Sequence, residues 1–330
     1  MDENVAVTFP APREVSIGRV DRPTPDAGEV VVRTTRTLIS TGTELALLTD
    51  RAQYTSLPVD APGYAHVGRI VDRGDGVDAS WREVRVATHG PHRRYVCVDV
   101  EDATPIPETV TDEAATFHAL AAIAMNGVRR GRVTWGESAA VYGLGLVGQL
   151  AARNCRAAGA EHVIGMDPAA DRRSYLPDRP GVSAIDPHAE SVTDRVRAAT
   201  GGRLADAVFE VTGNASAIEE QVAALADAGR FVILGSPRGV EPYDFYHDCH
   251  RPGYEIIGAH ARTHPDVPTP ANPWTRSRHR ELFFSLLSQE RLGVAELISH
   301  RASYADAPAM YDLLLEDRTR ALGVVLDWEE

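Results

Sequence analysis

Lysine is missing from all 330 residues: the 34 basic residues are all arginine, and 47 acidic residues leave a net charge of -13. An acidic chain of this kind lacks the positive field that non-specific nucleic-acid or anionic-membrane binding needs. Arginine in place of lysine, with surplus acid, fits high-GC coding and a salt-rich cytoplasm. The sequence therefore predicts a halophilic or actinobacterium-like setting, with fold and activity improving in molar salt. Cysteine is nearly missing too. Cys97, Cys155 and Cys249 lie far apart and form no CxxC pair, which excludes a four-cysteine structural zinc loop and fits free thiols in a reducing, cytoplasmic compartment. No apolar run approaches the roughly 20 residues that a bilayer crossing requires, and no signal-peptide pattern opens the chain. What remains is an ordinary globular composition, too long for one hydrophobic core, so two domains are expected.

The first hundred residues read as short strands broken by turns, with β-branched runs at 29–34, 67–71 and 95–100 and a turn at 72–76. A helix is expected to start near Thr111. From Ser138 the pattern changes to strand and helix in alternation, which implies a parallel sheet. Strands are expected at 139–142, 162–167, 206–211, 230–234 and 254–258, with helices at 146–158 and 217–227. A proline-rich loop at 263–274 follows, then helices near 277–290 and 307–316 and a last strand at 323–327.

Gly143-Leu144-Gly145-Leu146-Val147-Gly148 has the spacing GxGxxG directly after an expected strand and at the opening of an expected helix. In that context the first glycine permits the tight turn, the second lets a pyrophosphate approach the backbone, and the third lets helix and strand pack closely. The helix N-terminus adds free N–H groups for the phosphates. Asp167 ends the next expected strand, where its carboxylate would take the adenosine ribose hydroxyls and disfavour a 2′-phosphate, so NAD is expected over NADP. Arg172 and Arg173 follow closely and would soften that preference. Gly213 and Ser236 end two later strands on the carboxyl side and are expected along the nicotinamide half of the cofactor.

With this loop, the stretches Ser40-Thr41-Gly42-Thr43-Glu44, Pro62 to Gly68, Asp206 to Asn214, Gly229 to Ser236 and Ala321 to Asp327 make the chain similar to the medium-chain dehydrogenase/reductase superfamily over almost its whole length. The resemblance implies an α/β protein with a GroES-like, β-rich catalytic domain formed from 1–112 and 263–330. A Rossmann domain with a doubly wound parallel sheet is inserted at 113–262, and a homodimer paired through edge strands is implied as well.

Zinc-dependent members of that superfamily place a cysteine, a His-Glu pair and a third ligand at matching positions, since catalytic zinc needs three such ligands and an open site. Here those positions hold Thr41, then Tyr64 and Ala65, and finally His118, with His66 two residues beyond the expected place. No catalytic metal is expected. The pattern resembles a zinc-lacking branch near the bacteriochlorophyllide dehydrogenases, in which Gly-Thr-Glu and Pro-Gly-Tyr motifs stand in for the ligand motifs.

Without zinc, hydrogen-bond donors must polarise the carbonyl and a side chain or water must protonate it. Thr43 and Tyr64 are expected to bind the reacting oxygen while His118 relays the proton. Tyr64 filling the volume of a lost metal site, and His118 bonded to backbone, are the bland alternatives. Glu44 is expected to brace its loop or bind an arginine.

Three further stretches are weaker candidates. His247-Asp248-Cys249-His250 looks metal-like only by composition. Trp274 and Asn272 are expected either to wall the substrate site or to anchor their loop, and Arg129, Arg130 and Arg132 to form a solvated helix face. Substrate-lining residues are expected from 45–60 and 262–280. The expected activity is hydride transfer between nicotinamide and a small alcohol or carbonyl substrate. The alternatives are a zinc-free enone or quinone reductase and a catalytically silent cofactor-binding sensor or scaffold.

Overall fold

The alternation that begins at Ser138 builds one six-stranded sheet in the computed structural model, which describes residues 3–52 and 55–329. Across that sheet the strands run Val182–Ile185, His162–Met166, Ser138–Tyr142, Ala205–Glu210, Leu225–Ile233 and Glu255–Gly258, every neighbouring pair parallel. Numbered by sequence this is the order 3-2-1-4-5-6 of a dinucleotide-binding fold, with its direction reversing between the strands that end at Tyr142 and Glu210. Ala140, Ile164, Val208, Val222 and Phe231 form the core over it.

The sequence reading differs from this unit in several places, beginning with the edge strand Val182–Ile185 and the helix Val192–Ala199, which it did not foresee. The helix expected over 217–227 ends at Val222, and a strand begins at Leu225, whose backbone pairs with Ala205. Ala228 then takes a left-handed φ of 60°, so the alanine-rich run turns where propensity alone would continue the helix. The helix Leu146–Ala158, expected to bury one face, buries nearly its whole circumference, including Gln149, Arg153 and Asn154. Those polar groups bond locally: Arg153 donates to Gln149 Oε1 at 2.8 Å and Asn154 to the Leu150 carbonyl at 2.8 Å.

A second sheet has seven strands and lies, with a two-stranded sheet of Asn4–Thr8 and Ser16–Val20, in the unit formed by both chain ends. Gly323–Asp327 runs antiparallel to Glu29–Leu38 with Val325 opposite Leu38, and Ile298–Ser303 pairs beyond it. His66–Arg73 flanks Glu29–Leu38 on the other side. Phe9, Tyr311 and Trp328, all fully buried, anchor its core, the first two rings meeting edge to face with centroids 5.1 Å apart. The two units are Met1–Ala119 with Arg280–Glu330, and Leu120–His279. Both divisions fall later than 112/113 and 262/263, because the helix His118–Arg130 runs through the first and the 263–279 segment packs with the Rossmann unit. Among the described residues no helix is long and apolar enough to cross a membrane.

Candidate active site

In the Rossmann unit the glycine loop is shaped by what its missing side chains would strike. Gly143 has φ 92°, and a Cβ there would lie 2.9 Å from the Thr212 nitrogen, so the turn fits against the end of the neighbouring strand only as glycine. A Cβ on Gly148 would lie 1.8 Å from the Gly143 carbonyl oxygen. At Gly145 nothing stands within 4 Å, which leaves open backbone at the N-cap of the helix Leu146–Ala158. Leu144 N–H donates to Asp167 Oδ2 at 2.9 Å, and Ala169 N–H donates to Oδ1 at 2.9 Å. Arg172 reaches the same carboxylate at 3.6 Å, whereas Arg173 turns to the Asp167 and Pro168 carbonyls and to Asp186. Open backbone at Gly145, a helix start and a fixed acid at the strand end fit a dinucleotide.

Gly213 and Ser236 are brought together: a Cβ on Gly213 would lie 3.4 Å from the Ser236 carbonyl oxygen. The residue that shapes this end of the sheet is Glu210, which the sequence reading missed. It is fully buried, and its Oε1 accepts from Thr212 N–H at 2.7 Å, the Thr212 hydroxyl at 2.6 Å and Gly213 N–H at 2.8 Å. An acid closing the apolar run Ala-Val-Phe-Glu-Val was the available signal.

In the other unit, Ser40 caps the helix Thr41–Leu48, and Glu44 reaches back to accept the Ser40 N–H at 2.8 Å. Gly63, with φ 98°, sets the 62–64 turn against the His92 ring, which a Cβ would meet at 2.6 Å. Tyr64 therefore projects next to the helix start. Its hydroxyl lies 2.5 Å from Ser40 Oγ and 3.5 Å from Thr43 Oγ1, and its ring stacks on His89 with centroids 5.1 Å apart. Thr43 and Tyr64 are thus together as expected, with Ser40 and His89 as unforeseen members. Ser40 was visible as a hydroxyl beside the threonine motif. Nothing in the sequence pointed to His89.

His118 does not join them by a hydrogen bond. It is fully buried, and neither ring nitrogen has a hydrogen-bond partner among the described residues. Burial, with Arg280 and His89 adding to it, holds its pKa well below the ordinary imidazole value, and the nearby His66 carbonyl works in the opposite direction. At neutral pH His118 is an uncharged imidazole.

Glu44 braces the loop and binds no arginine. Its Oε2 meets His92 Nε2 at 3.0 Å and accepts from the Tyr311 hydroxyl, while His92 Nδ1 lies 2.8 Å from Thr37 Oγ1. Burial, then Glu44, raises the Tyr311 phenol well above its ordinary value.

The donor set does not fit catalytic zinc. Thr41 and Tyr64 are poor ligands, and His66 is engaged on both sides, by Thr34 Oγ1 at 2.8 Å and Thr88 Oγ1 at 2.7 Å. No three His, Cys, Asp or Glu side chains converge among the described residues. Elsewhere, His247 pairs with Asp244 at 2.8 Å. Arg129, Arg130 and Arg132 are not a merely solvated face: they contact the Trp274 ring, the Gly258 carbonyl and Glu255 respectively. Of the stretch 45–60 expected to line the substrate, residues 53 and 54 lie outside the described residues.

Comparison with known proteins places the chain beside dehydrogenases in sequence and in fold. Residues 147–276 match the family model described as zinc-binding dehydrogenase. Over this stretch the chain is similar to zinc-type medium-chain dehydrogenases/reductases. It is 28% identical over 273 residues to the D-guloside 3-dehydrogenase of Escherichia coli (strain K12), covering 78% of this chain and 77% of that one. Among solved structures it superimposes on an Escherichia coli oxidoreductase/dehydrogenase of unknown specificity with TM-score 0.86, 16% identity and 99% of both chains covered. The 2R,3R-butanediol dehydrogenase of Bacillus subtilis gives TM-score 0.82 at 19% identity, covering 98% of this chain and 99% of that one. By its likeness to these dehydrogenases the chain is an oxidoreductase.

Proposed function

We propose that the chain is an NAD(H)-dependent alcohol dehydrogenase/reductase that moves a hydride between nicotinamide and the carbon of a sugar or polyol alcohol, or of the matching carbonyl, without catalytic zinc. The observation that carries this reading is the hydroxyl cluster of Ser40, Thr43 and Tyr64, in which Tyr64 stands at a position that the resemblance assigns to a metal ligand. When bound, the nicotinamide dinucleotide supplies the hydride acceptor or donor. The glycine loop 143–148 takes its pyrophosphate, and Asp167 takes the adenosine ribose hydroxyls. Arg172 offsets part of the Asp167 charge, so NADP is disfavoured rather than shut out.

Tyr64 donates its phenolic proton to the oxygen that becomes an alkoxide, and Thr43 donates a second hydrogen bond. Ser40, 2.5 Å from the Tyr64 oxygen, relays a proton back to it, taking one up from water as it gives its own. His118, held neutral, does not store a proton at neutral pH, which moves the role of proton source from His118 to Tyr64. The sugar and polyol preference is supported by the names of the relatives, a guloside dehydrogenase and a butanediol dehydrogenase. A homodimer is part of the same reading, supported by the edge strand Glu255–Gly258, which leaves Ile256 42% exposed. NADH oxidation against panels of ketones, aldehydes and enones tests the activity. Ketone or aldehyde turnover is expected; turnover of enones alone would replace the reading with a zinc-free enone reductase.

A further inference from the structure

Among the described residues the Rossmann unit holds a group of arginines that meets no carboxylate. Most arginines of this acidic chain that take part in ion pairs meet a carboxylate directly, as Arg36, Arg85, Arg230 and Arg301 do. Around Trp274 the situation is different. The Arg129 guanidinium carbon sits 3.4 Å from the Trp274 ring centroid and that of Arg278 sits 4.2 Å from it. Among the described residues neither arginine pairs with a carboxylate, and neither does Arg276 nearby in sequence. Their protein contacts are few: Arg129 Nε–H to His279 Nε2 at 3.4 Å, Arg278 to the Pro273 carbonyl at 3.3 Å, and Arg276 to the Ala261 carbonyl at 3.4 Å. Each guanidinium has five donors, so most remain available.

A second, independent feature lies in the same cluster. His279 is fully buried and stacks on Trp274 at 5.3 Å, and the His264 ring meets it edge to face at 5.1 Å. Because His279 Nε2 accepts from Arg129, its neutral tautomer carries the proton on Nδ1, and that nitrogen has no hydrogen-bond partner. His264, 7% exposed, leaves Nε2 unpartnered in the same way. The Thr275 and Ala122 carbonyls stand near these nitrogens without meeting them in hydrogen-bond geometry. Two guanidiniums held against one indole, with a buried imidazole bonded to one of them, repel one another until an anion joins them.

We propose that Arg129, Arg278 and Trp274, backed by His279, form a binding site for the oxyanion group of a small ligand, a carboxylate or a phosphate monoester. The indole holds both guanidiniums against one ring, and His279 Nε2 positions Arg129 from below. This assignment does not depend on the proposed hydride transfer, because every group in it lies within 120–279.

The test is calorimetric titration of the full chain, saturated with NAD so that the glycine loop is filled, using D-gluconate as the carboxylate and glycerol 3-phosphate as the phosphate monoester. Saturable binding of one or both is expected, and Arg129→Gln or Arg278→Gln should each weaken it about tenfold or more. Both arginines are exposed, so these variants keep the fold. Preference for one probe names the source of the oxyanion. The absence of saturable binding by either probe, or binding that both substitutions leave unchanged, would overturn the proposal. If NAD itself fails to bind, an anion held at the glycine loop would survive both substitutions, whereas one held here would not.

Discussion

The glycine loop and the hydroxyl cluster are both built at strand-to-helix or turn-to-strand junctions, yet they are built from different material. At Gly143, Gly145 and Gly148 the function is in the backbone; at Gly143 and Gly148 the residue type is dictated by what a Cβ would strike, and at Gly145 the missing side chain leaves the backbone open. At Ser40, Thr43 and Tyr64 the function is in side-chain hydroxyls, whose meeting depends on Gly63 and His92 from other parts of the chain. The first site tolerates almost no change and speaks through its sequence. The second depends on side chains that meet through tertiary packing and speaks only through its geometry.

That contrast breaks first at Gly148. Gly148→Ala puts a Cβ into the Gly143 carbonyl, a backbone atom with no room to retreat. A loss of about 3 kcal/mol is expected, together with loss of measurable NAD binding. Retention of tight NAD binding in calorimetry would show that the loop is not the cofactor cradle. At the hydroxyl cluster, Tyr64→Phe should lower kcat about 100-fold while leaving NAD affinity unchanged. If Tyr64 only fills space, kcat will not move.

How much of this was legible follows the same line. The parallel sheet, the glycine loop and Asp167 were readable because each rests on local periodicity or local backbone geometry. The last strand, Gly323–Asp327, was assigned to the first unit only by resemblance, since no local pattern shows which sheet a distant strand joins. Ser40, His89 and Glu210 were missed for a related reason: a buried polar side chain finds its partner through tertiary packing. The helix expected over 217–227 failed because alanine propensity at Ala223 and Ala224 was overridden by strand pairing at Leu225.

A smaller effect sharpens the comparison at Asp167. Asp167→Asn removes the charge that repels a 2′-phosphate and releases Arg172, so the NAD over NADP ratio of kcat/KM should fall about tenfold. An unchanged ratio would move coenzyme choice elsewhere.

The mildest effect concerns acid, and it should touch both units. Burial pushes His66, in the two-ended unit, and His279, in the Rossmann unit, down to about 3. In the unfolded chain each titrates near its ordinary value of about 6.5. The stabilisation from keeping them neutral is therefore complete above about pH 6.5 and is lost progressively as pH falls toward about 3. Calorimetric melting between pH 7 and 5, where most carboxylates stay ionised, should show a falling Tm with proton uptake on unfolding. A flat Tm over that interval would contradict the burial account.

The central claim is that side-chain hydroxyls, not a metal, polarise and protonate the reacting oxygen. Its most direct test is NADH-dependent carbonyl reduction by protein exhaustively treated with chelator, measured beside Tyr64→Phe and with zinc added back. The account predicts that stripped wild-type protein keeps its full rate, that added zinc does not raise it, and that Tyr64→Phe stays slow in both conditions. Activity lost on chelation and restored by stoichiometric zinc would contradict it.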